Sequence, residues 1–129
     1  MAEVDAGIQA RLTGHAGLSA LVNSVYSTLA PPGTAEPFIT WRVFDDEPNE
    51  HMGSSGTPTT ASVQVTSFTS TKAEQIAITT QLKDALGRYR GTEGSVTVQE
   101  SFFTGYNDRY DNDEQYFQRD HEFTIHYEE

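Results

Sequence analysis

The side chains best suited to chemistry in this sequence are carboxylates close to the C-terminus. Asp108, Asp111, Asp113 and Glu114 place four potential oxygen ligands within a short stretch. A hard cation such as Ca²⁺ needs about six to eight converging oxygens, and an EF-hand loop supplies them with Gly at its sixth position and Glu at its twelfth. Counted from Asp108, those two positions hold Asp113 and Arg119. The spacing therefore favours a solvated acidic turn over a metal site.

The four histidines do not form a shared site either. His15 and His51 are far apart in the chain, and only His121 and His126 fall within one predicted strand. Side chains alternate between the two faces of a strand, so an offset of five residues puts this pair on opposite faces. A lone histidine on a strand is more often packed or hydrogen-bonded than catalytic. We expect structural roles for them.

Motifs for nucleophilic or nucleotide chemistry are missing from the sequence. There is no Gly-x-Ser-x-Gly elbow, and the Gly-Ser-Ser-Gly stretch at 53–56 lacks the strand-to-helix setting of a nucleophile. Neither glycine-rich phosphate loop occurs. The pairs Asp45 with Asp46 and Asp120 with Glu122 would serve acid/base catalysis only if burial separated their pKa values. We therefore expect no enzymatic activity, no catalytic residue, no bound metal and no cofactor.

Charge and composition narrow the function further. The chain has 19 acidic and eight basic residues, a formal net charge of −11, whereas binding to DNA or RNA by counterion release requires Lys and Arg near phosphates. The absence of cysteine excludes disulfides and thiolate zinc sites. No apolar run approaches the roughly 18 residues of a membrane span, and the N-terminus lacks the pattern of a signal peptide. We expect a soluble protein that starts in the cytoplasm.

The length predicts a single domain over residues 1–129, since no linker-like segment divides the chain. Leu, Ile, Val and Phe together make up about 20% of the residues, a share that approaches the composition of disordered chains. Strand-period patterns and an aromatic content of 11% argue that the chain nevertheless folds. We expect partner subunits to complete the burial of its apolar surface.

Two helices follow from hydrophobic spacing. Apolar residues recur every fourth position over residues 3–12, and a helical turn is plausible at 18–22. Thr71 and Glu74 have the spacing of a capping box and open a second helix, whose apolar stripe continues to Tyr89. Gly91 is expected to end this helix in a left-handed cap.

Strand patterns occupy the remaining segments. Residues 38–44, 61–66, 96–102 and 116–127 are rich in β-branched and aromatic residues or alternate between apolar and polar. A brief strand is expected at 25–26, a long loop or open hairpin over 45–60 and an acidic turn over 106–114. The order predicts an α+β fold with a roughly four-stranded, mainly antiparallel sheet and two helices packed on one of its faces.

A series of short motifs runs through nearly the whole chain. They are EVDAGIQARL at 3–12, GLSALV at 17–22, VY at 25–26, APPG at 30–33, EPFITW at 36–41, TASVQV at 60–65, LGRYRG at 86–91, YNDRYD at 106–111 and FTIHY at 123–127. Taken together, these motifs resemble the tail-completion, or tail-terminator, proteins of long-tailed bacteriophages and related gene-transfer particles.

The resemblance implies a structural virion protein at the tail neck, assembled in the host cytoplasm. Six copies would form a ring at the head-proximal end of the tail tube, halt its polymerisation and present a surface to the head-completion protein. DNA would pass through this ring without specific binding. The resemblance implies no catalysis, no cofactor and no membrane.

Candidate contact residues come from two acidic segments. The loop over 45–59 resembles the long loop that such rings use at tube or lumen contacts, and the acidic turn supplies further carboxylates. The candidate interface or lumen residues are Asp45, Asp46, Glu47, Glu50, His51, Met52, Asp108, Asp111 and Asp113.

Two alternative functions remain open from the sequence. One is a small α+β ligand-binding or enzyme domain, whose pocket would be lined by Trp41, Phe102 and Tyr116. The other is an acidic nucleic-acid mimic that blocks a DNA-binding protein, which follows from the charge alone.

Overall fold

The computed structural model describes residues 2–27, 34, 37–48, 59–87, 89–93, 96–111 and 116–128. Within these ranges the chain forms three helices and six strands. In chain order they are α1 (Ala2–Gly14), α2 (Ala16–Ser19), β1 (Ser24–Ser27), β2 (Phe38–Pro48), β3 (Thr59–Thr69), α3 (Lys72–Leu86), β4 (Gly91–Glu93), β5 (Val96–Asp111) and β6 (Tyr116–Glu128).

The strands form one mixed sheet in the order β1-β2-β3-β6-β5-β4. Only β1 and β2 are parallel, and all other neighbouring strands are antiparallel. The α+β class and the mainly antiparallel sheet agree with the prediction, whereas the numbers of strands and helices are larger. The difference comes from β1, β4 and α2, which have only three or four residues each. Such short elements carry little periodic signal.

All three helices pack on the same face of the sheet. The core between them consists of alternate residues from the central strands and of the apolar sides of the helices; it contains Ile8, Leu12, Leu18, Ile39, Trp41, Ala61, Val63, Val65, Ile78, Leu82, Ala85, Leu86, Phe123, Ile125 and Tyr127. Each large side chain buried in this way contributes about 1.5–3 kcal/mol to folding before entropic costs are counted. Buried core side chains therefore come from all three helices and from strands β2, β3 and β6.

The predicted start of α3 is confirmed, but its predicted end is wrong. Thr71 is the N-cap residue, and its hydroxyl accepts a hydrogen bond from the Glu74 backbone N–H at 3.2 Å. At the other end, α3 stops at Leu86, while Gly91 begins β4. The unpaired carbonyls of a helix end need partners, and here other elements supply them. Arg11 Nε donates to the Ala85 carbonyl at 2.9 Å, and Ser101 Oγ donates to the Leu86 carbonyl at 2.5 Å.

Of the two alternatives for residues 45–60, the antiparallel pairing of β2 with β3 up to Pro48 and Thr59 fits the open hairpin, whereas a loop starting at Asp45 is wrong. β2 continues through Asp45, Asp46 and Glu47 to Pro48, after a bulge between Val43 and Asp45. On the other side, β3 already begins at Thr59. The acidic residues after Val43 therefore lie in a strand, because backbone pairing with β3 does not depend on apolar side chains.

The predicted acidic turn over 106–114 is also wrong for its described part. β5 continues without a break through Asp111 and pairs with β6 up to Tyr116. Two cross-strand contacts support this extension of the β5–β6 hairpin. Asp108 lies opposite Arg119, and the Tyr110 and Phe117 rings meet edge to face at 5.0 Å.

Candidate assembly surfaces

The face of the sheet opposite the helices, called the open face below, is mostly polar. In its middle, Arg42, Gln64 and Glu122 lie side by side on β2, β3 and β6. Arg42 Nε donates to Gln64 Oε1 at 2.8 Å, and both Arg42 and Glu122 are exposed. The open face therefore offers charged and hydrogen-bonding groups to its surroundings.

Next to this row, Asp120 is buried although it lies on the open face. Its carboxylate accepts a hydrogen bond from Thr66 Oγ1 at 2.8 Å and forms an ion pair with Arg109 at 3.0 Å. Burial of a charge is tolerated when the charge is paired in this way. Asp120 is thus occupied by Thr66 and Arg109, whereas Glu122, two residues further along β6, is exposed to solvent.

An aromatic cluster occupies one end of the open face. The rings of Phe38 and Phe68 stack at 4.6 Å, and Tyr116 meets them edge to face at 6.0 and 5.7 Å. Phe38 and Phe68 are paired in the β2–β3 register. The cluster ties three strands together at the end where the β5–β6 hairpin projects.

The acidic residues singled out in the sequence lie on two separate strands. Asp45, Asp46 and Glu47 are in β2, whereas Asp108 and Asp111 are in β5. Two strands lie between β2 and β5, so the two groups are about 14 Å apart across the sheet. The structure therefore does not combine them in one site. The remaining candidates Glu50, His51, Met52 and Asp113 fall outside the described residues.

The two acidic groups also point toward opposite ends of the sheet. Asp45 pairs with Ser62, which pairs with Thr124, which in turn pairs with Phe102. Asp111 lies nine residues further along β5 than Phe102. At about 3.3 Å per residue, this offset corresponds to most of the length of the hairpin.

Asp108 is held by cations rather than free to bind a metal. Arg119 Nε and one terminal nitrogen contact its two carboxylate oxygens at 2.6 and 3.1 Å, and Lys72 Nζ lies 3.3 Å away. The hydrogen bonds from Arg119 lower the pKa of Asp108, with Lys72 adding to the effect. In the described part of the chain, no three His, Asp or Glu side chains are grouped so that they could hold a metal ion.

Arg119 also begins a buried chain of hydrogen bonds beneath α3. It donates to Thr79 Oγ1 at 3.0 Å, Thr79 Oγ1 lies 2.8 Å from His121 Nε2, and His121 Nδ1 lies 2.9 Å from the Val65 carbonyl. Because a carbonyl only accepts, Nδ1 must carry a proton. In the neutral ring, Nε2 accepts from the Thr79 hydroxyl, which also donates to the Gln75 carbonyl at 3.0 Å. Burial, assisted by the nearby Arg119 charge, lowers the pKa of His121 to about 4.

This buried chain was not predicted from the sequence, although a signal for it exists. Every second residue of β6 lies on the same face of the sheet. The set 117, 119, 121 and 123 therefore shares one face, and its apolar members Phe117 and Phe123 indicate that Arg119 and His121 lie on the helix-covered face. The expectation of a structural role for His121 is consistent with its position, and His121 and His126 do lie on opposite faces.

The residues of the predicted ligand pocket are not brought together. Trp41 lies in the helix-covered core, whereas Phe102 and Tyr116 are far apart on the open face. A groove lined by Arg90, Glu100, Ser101 and Phe102 is present instead. Within it, the Ser101 hydroxyl accepts from the Tyr89 N–H at 2.9 Å and donates to the end of α3. Ser101 therefore has a structural task in this groove.

An α+β subunit with one helix-covered face, one polar open face and acidic strand ends is the kind of protein expected to work as a part of an assembly. None of the helices in the described ranges is long and apolar enough to span a membrane. The family described as tail completion protein gp17 matches residues 6–128. The chain belongs to this family and is thus a structural component of a phage-like virion tail.

A solved structure supports the fold. A chain of the structure described as the virion of the native gene transfer agent (GTA) particle is 18% identical to this protein. The match covers 99% of this chain and 96% of that chain, with a TM-score of 0.78. At this identity, the likeness concerns the fold. No curated protein matches the chain in sequence.

Proposed function

We propose that the chain is the ring subunit that ends the tail tube at its head-proximal end and joins it to the head-completion protein. The observation that carries this proposal is membership of the tail-completion family over residues 6–128. The fold match to a chain of a gene transfer agent virion adds support. In this proposal the whole chain acts as one domain, and several copies, six by the family resemblance, close into a ring.

The distribution of helices suggests how such a ring is oriented. Three helices thicken one side of the sheet, and the other side carries none in the described ranges. A closed ring has more room on its outer side than around its channel, so we place the helices on the outside. The open face, with Gln64, Asn107, Gln118 and Glu122, then faces the lumen.

An acidic lumen would suit the passage of DNA. Each copy brings a formal net charge of −11, and the chain has few cations to attract phosphates. Screening over about 8 Å at physiological salt limits the repulsion to residues that line the channel. Among the described charges on the open face, Glu122 is exposed and negative, whereas Arg42 and Arg109 are exposed and positive. In this proposal the repulsion of DNA therefore comes mainly from the acidic residues at the two rims.

The two acidic strand ends would serve the two rims of the ring. Asp45, Asp46 and Glu47 lie toward one end of the sheet, and Asp108 and Asp111 toward the other. In a ring whose strands run from one rim to the other, one rim meets the tube and the other meets the head-completion protein. We propose these residues as rim contacts, together with Glu50, His51, Met52 and Asp113.

The proposal is tested by the length of tail tubes assembled in vitro. Purified tube protein of the same particle is polymerised with and without this protein, and tubes are measured by electron microscopy. We expect shorter tubes with extra density at one end. An equal mass of a heat-unfolded sample serves as the control. Unchanged tube lengths together with bare tube ends would contradict the proposed function.

A further inference from the structure

Among the described residues, the sheet has two edges that lack a strand partner over long stretches. β4 pairs with residues 96–98 of β5 only, so within the described ranges the outer edge of β5 over 102–111 is unpaired. On the opposite side, β1 pairs with residues 38–41 of β2, and the part of the chain that is described offers no strand to 42–48. We call these stretches the β5 edge and the β2 edge. Unpaired backbone groups along an edge are a template for another chain.

Exposed apolar side chains concentrate on the same two edges. Among the described residues the exposed large hydrophobic side chains are Phe44, Ile76, Phe102, Tyr106 and Tyr110. Phe44 lies on the β2 edge. Phe102, Tyr106 and Tyr110 lie on the β5 edge. Only Ile76 is elsewhere, on α3. The edges therefore offer both hydrogen-bonding backbone and apolar area.

The β5 edge is also held rigidly. Asp108 is bound through both carboxylate oxygens by Arg119 on β6, and the Arg119 guanidinium lies 4.0 Å from the centre of the Tyr106 ring. The Tyr110 ring rests on Phe117. Because these contacts order the hairpin in advance, a partner strand loses less entropy on docking.

The strand directions show which partner fits. β2 is antiparallel to β3, β3 to β6, and β6 to β5, so β5 runs opposite to β2. Copies placed side by side in the same orientation therefore have the β5 edge of one copy antiparallel to the β2 edge of the next. The helices of both copies then remain on the same side of one continuous sheet.

Within one copy, residues 38–41 of β2, which β1 covers, are level with residues 106–109 of β5, and Arg42 is level with Gly105. The next copy must therefore be displaced along the strands by about six residues, about 20 Å, so that 42–48 faces 105–111. Strands tilted to the ring axis, as in closed barrels, provide such a displacement.

We propose that the β5 edge of one copy pairs antiparallel with the β2 edge of the next copy, and that this contact joins the subunits of the ring. The inference rests on the proposed ring function. Two different patches on one chain generate a ring when the rotation closes, and closure leaves no free edge.

The available area is consistent with such a contact. The four edge rings are between 40% and 52% exposed, and an aromatic side chain carries about 150–250 Å². They therefore offer about 400 Å² together, roughly a quarter of the total surface buried in a standard interface. Seven residues of strand backbone and the neighbouring side chains add to this area.

Cysteine cross-linking tests the contact directly, because the natural chain has no cysteine. The double variant Phe44→Cys with Asn107→Cys places one thiol on each edge. Asn107 pairs with Asp120 on the open face, and the Phe44 ring lies beside Arg42 of the same face. A short bismaleimide linker is added to the assembled protein, and the products are separated on a denaturing gel. We expect a ladder of covalent oligomers from the double variant and only monomer from each single variant.

Two control outcomes would overturn the proposal. Covalent dimers from Asn107→Cys alone would indicate that two β5 edges meet each other. A ladder from Asn107→Cys with Thr80→Cys, a position exposed on α3, that equals the ladder of the edge pair would show that the contact is not at the β2 edge.

A matched pair of surface variants provides the second arm. Tyr110→Ser removes an edge ring, whereas Ile76→Ser removes a comparably exposed side chain away from both edges. We expect self-association measured by sedimentation to weaken at least tenfold for Tyr110→Ser and to stay unchanged for Ile76→Ser. Equal effects would refute the edge contact. If the variants behave alike but the natural protein still limits tube length, the proposed function stands and only this interface is rejected.

Discussion

Arg119, Thr79 and His121 show how polar side chains are accommodated inside this small core. Each donor in the buried chain faces an acceptor, from the guanidinium to the Val65 carbonyl. A buried polar group without a partner costs about 1–3 kcal/mol, so every member depends on the others. Burial lowers the pKa of His121 to about 4, so the ring is neutral at pH 7 and its Nε2 accepts from the Thr79 hydroxyl.

The neutrality of His121 predicts a loss of stability in mild acid. Its pKa in the folded protein is about 4, below the ordinary value of 6.5. The unfolded chain therefore takes up this proton first, and stability falls as the pH decreases from about 6.5 to 4. A difference of this size corresponds to about 3 kcal/mol. Urea unfolding at a series of pH values measures this change.

The control for this prediction is His121→Gln, which hydrogen-bonds but does not titrate in this range. The variant should have a lower free energy of unfolding at pH 7, and its stability should depend less on pH between 6.5 and 4. A pH profile identical to that of the natural protein would show that other groups cause the acid sensitivity. Asp108 adds its own effect only at lower pH, because the pKa of this carboxyl is lowered.

At the scale of single elements, α3 has a start set by local sequence. The hydroxyl of Thr71 accepts from the Glu74 N–H, and the Glu74 carboxylate receives hydrogen bonds from Ser70 and Thr71 at 3.1 and 3.0 Å. Loss of an N-cap side chain typically costs about 1 kcal/mol. Thr71→Ala should therefore lower the free energy of unfolding by about this amount, as measured by chemical denaturation.

Thr80→Ala is the matched control for the cap. Thr80 is exposed in the middle of α3, where its hydroxyl only donates to the Ile76 carbonyl at 3.2 Å. Since alanine has the higher helix propensity, this variant should be as stable as the natural protein or slightly more stable. Similar losses for both threonine variants would mean that the cap makes no special contribution.

Features with a local cause were predictable from the sequence. The start of α3 and the strand at Phe38 follow from a capping pattern and from β-branched and aromatic residues after Pro37. The end of α3 was not predictable, because Arg11 and Ser101, which donate hydrogen bonds to its last carbonyls, come from distant parts of the chain.

The length of the β5–β6 hairpin was missed for a similar reason. Its outer half contains Asp108, Arg109 and Asp111, and such residues weaken the strand signal. Their partners Arg119 and Asp120 lie on the neighbouring strand. The sheet order that places the acidic candidates of β2 and β5 on separate strands is a property of the folded chain alone.

At the scale of the whole molecule, charge opposes the contact between copies. Every copy has a formal net charge of −11, and the screening length shortens from about 30 Å at 0.01 M salt to about 10 Å at 0.1 M. Self-association should therefore strengthen severalfold over this range of salt. Sedimentation velocity at fixed protein concentration measures the shift toward larger species.

Two salts of equal ionic strength, sodium chloride and potassium chloride, distinguish screening from specific ion effects. Both should produce the same increase, because screening depends on ionic strength alone. Self-association that weakens as salt is added would contradict the prediction and would indicate attraction between opposite charges at the contact.

The position of Trp41 gives the protein a built-in optical reporter. It is the one tryptophan in the sequence, it is buried, and its indole N–H donates to Gln9 Oε1 on α1 at 2.5 Å. Its fluorescence therefore reports on the contact between α1 and β2. Partial detachment of that helix would shift the emission to longer wavelength even while the rest of the sheet stays intact.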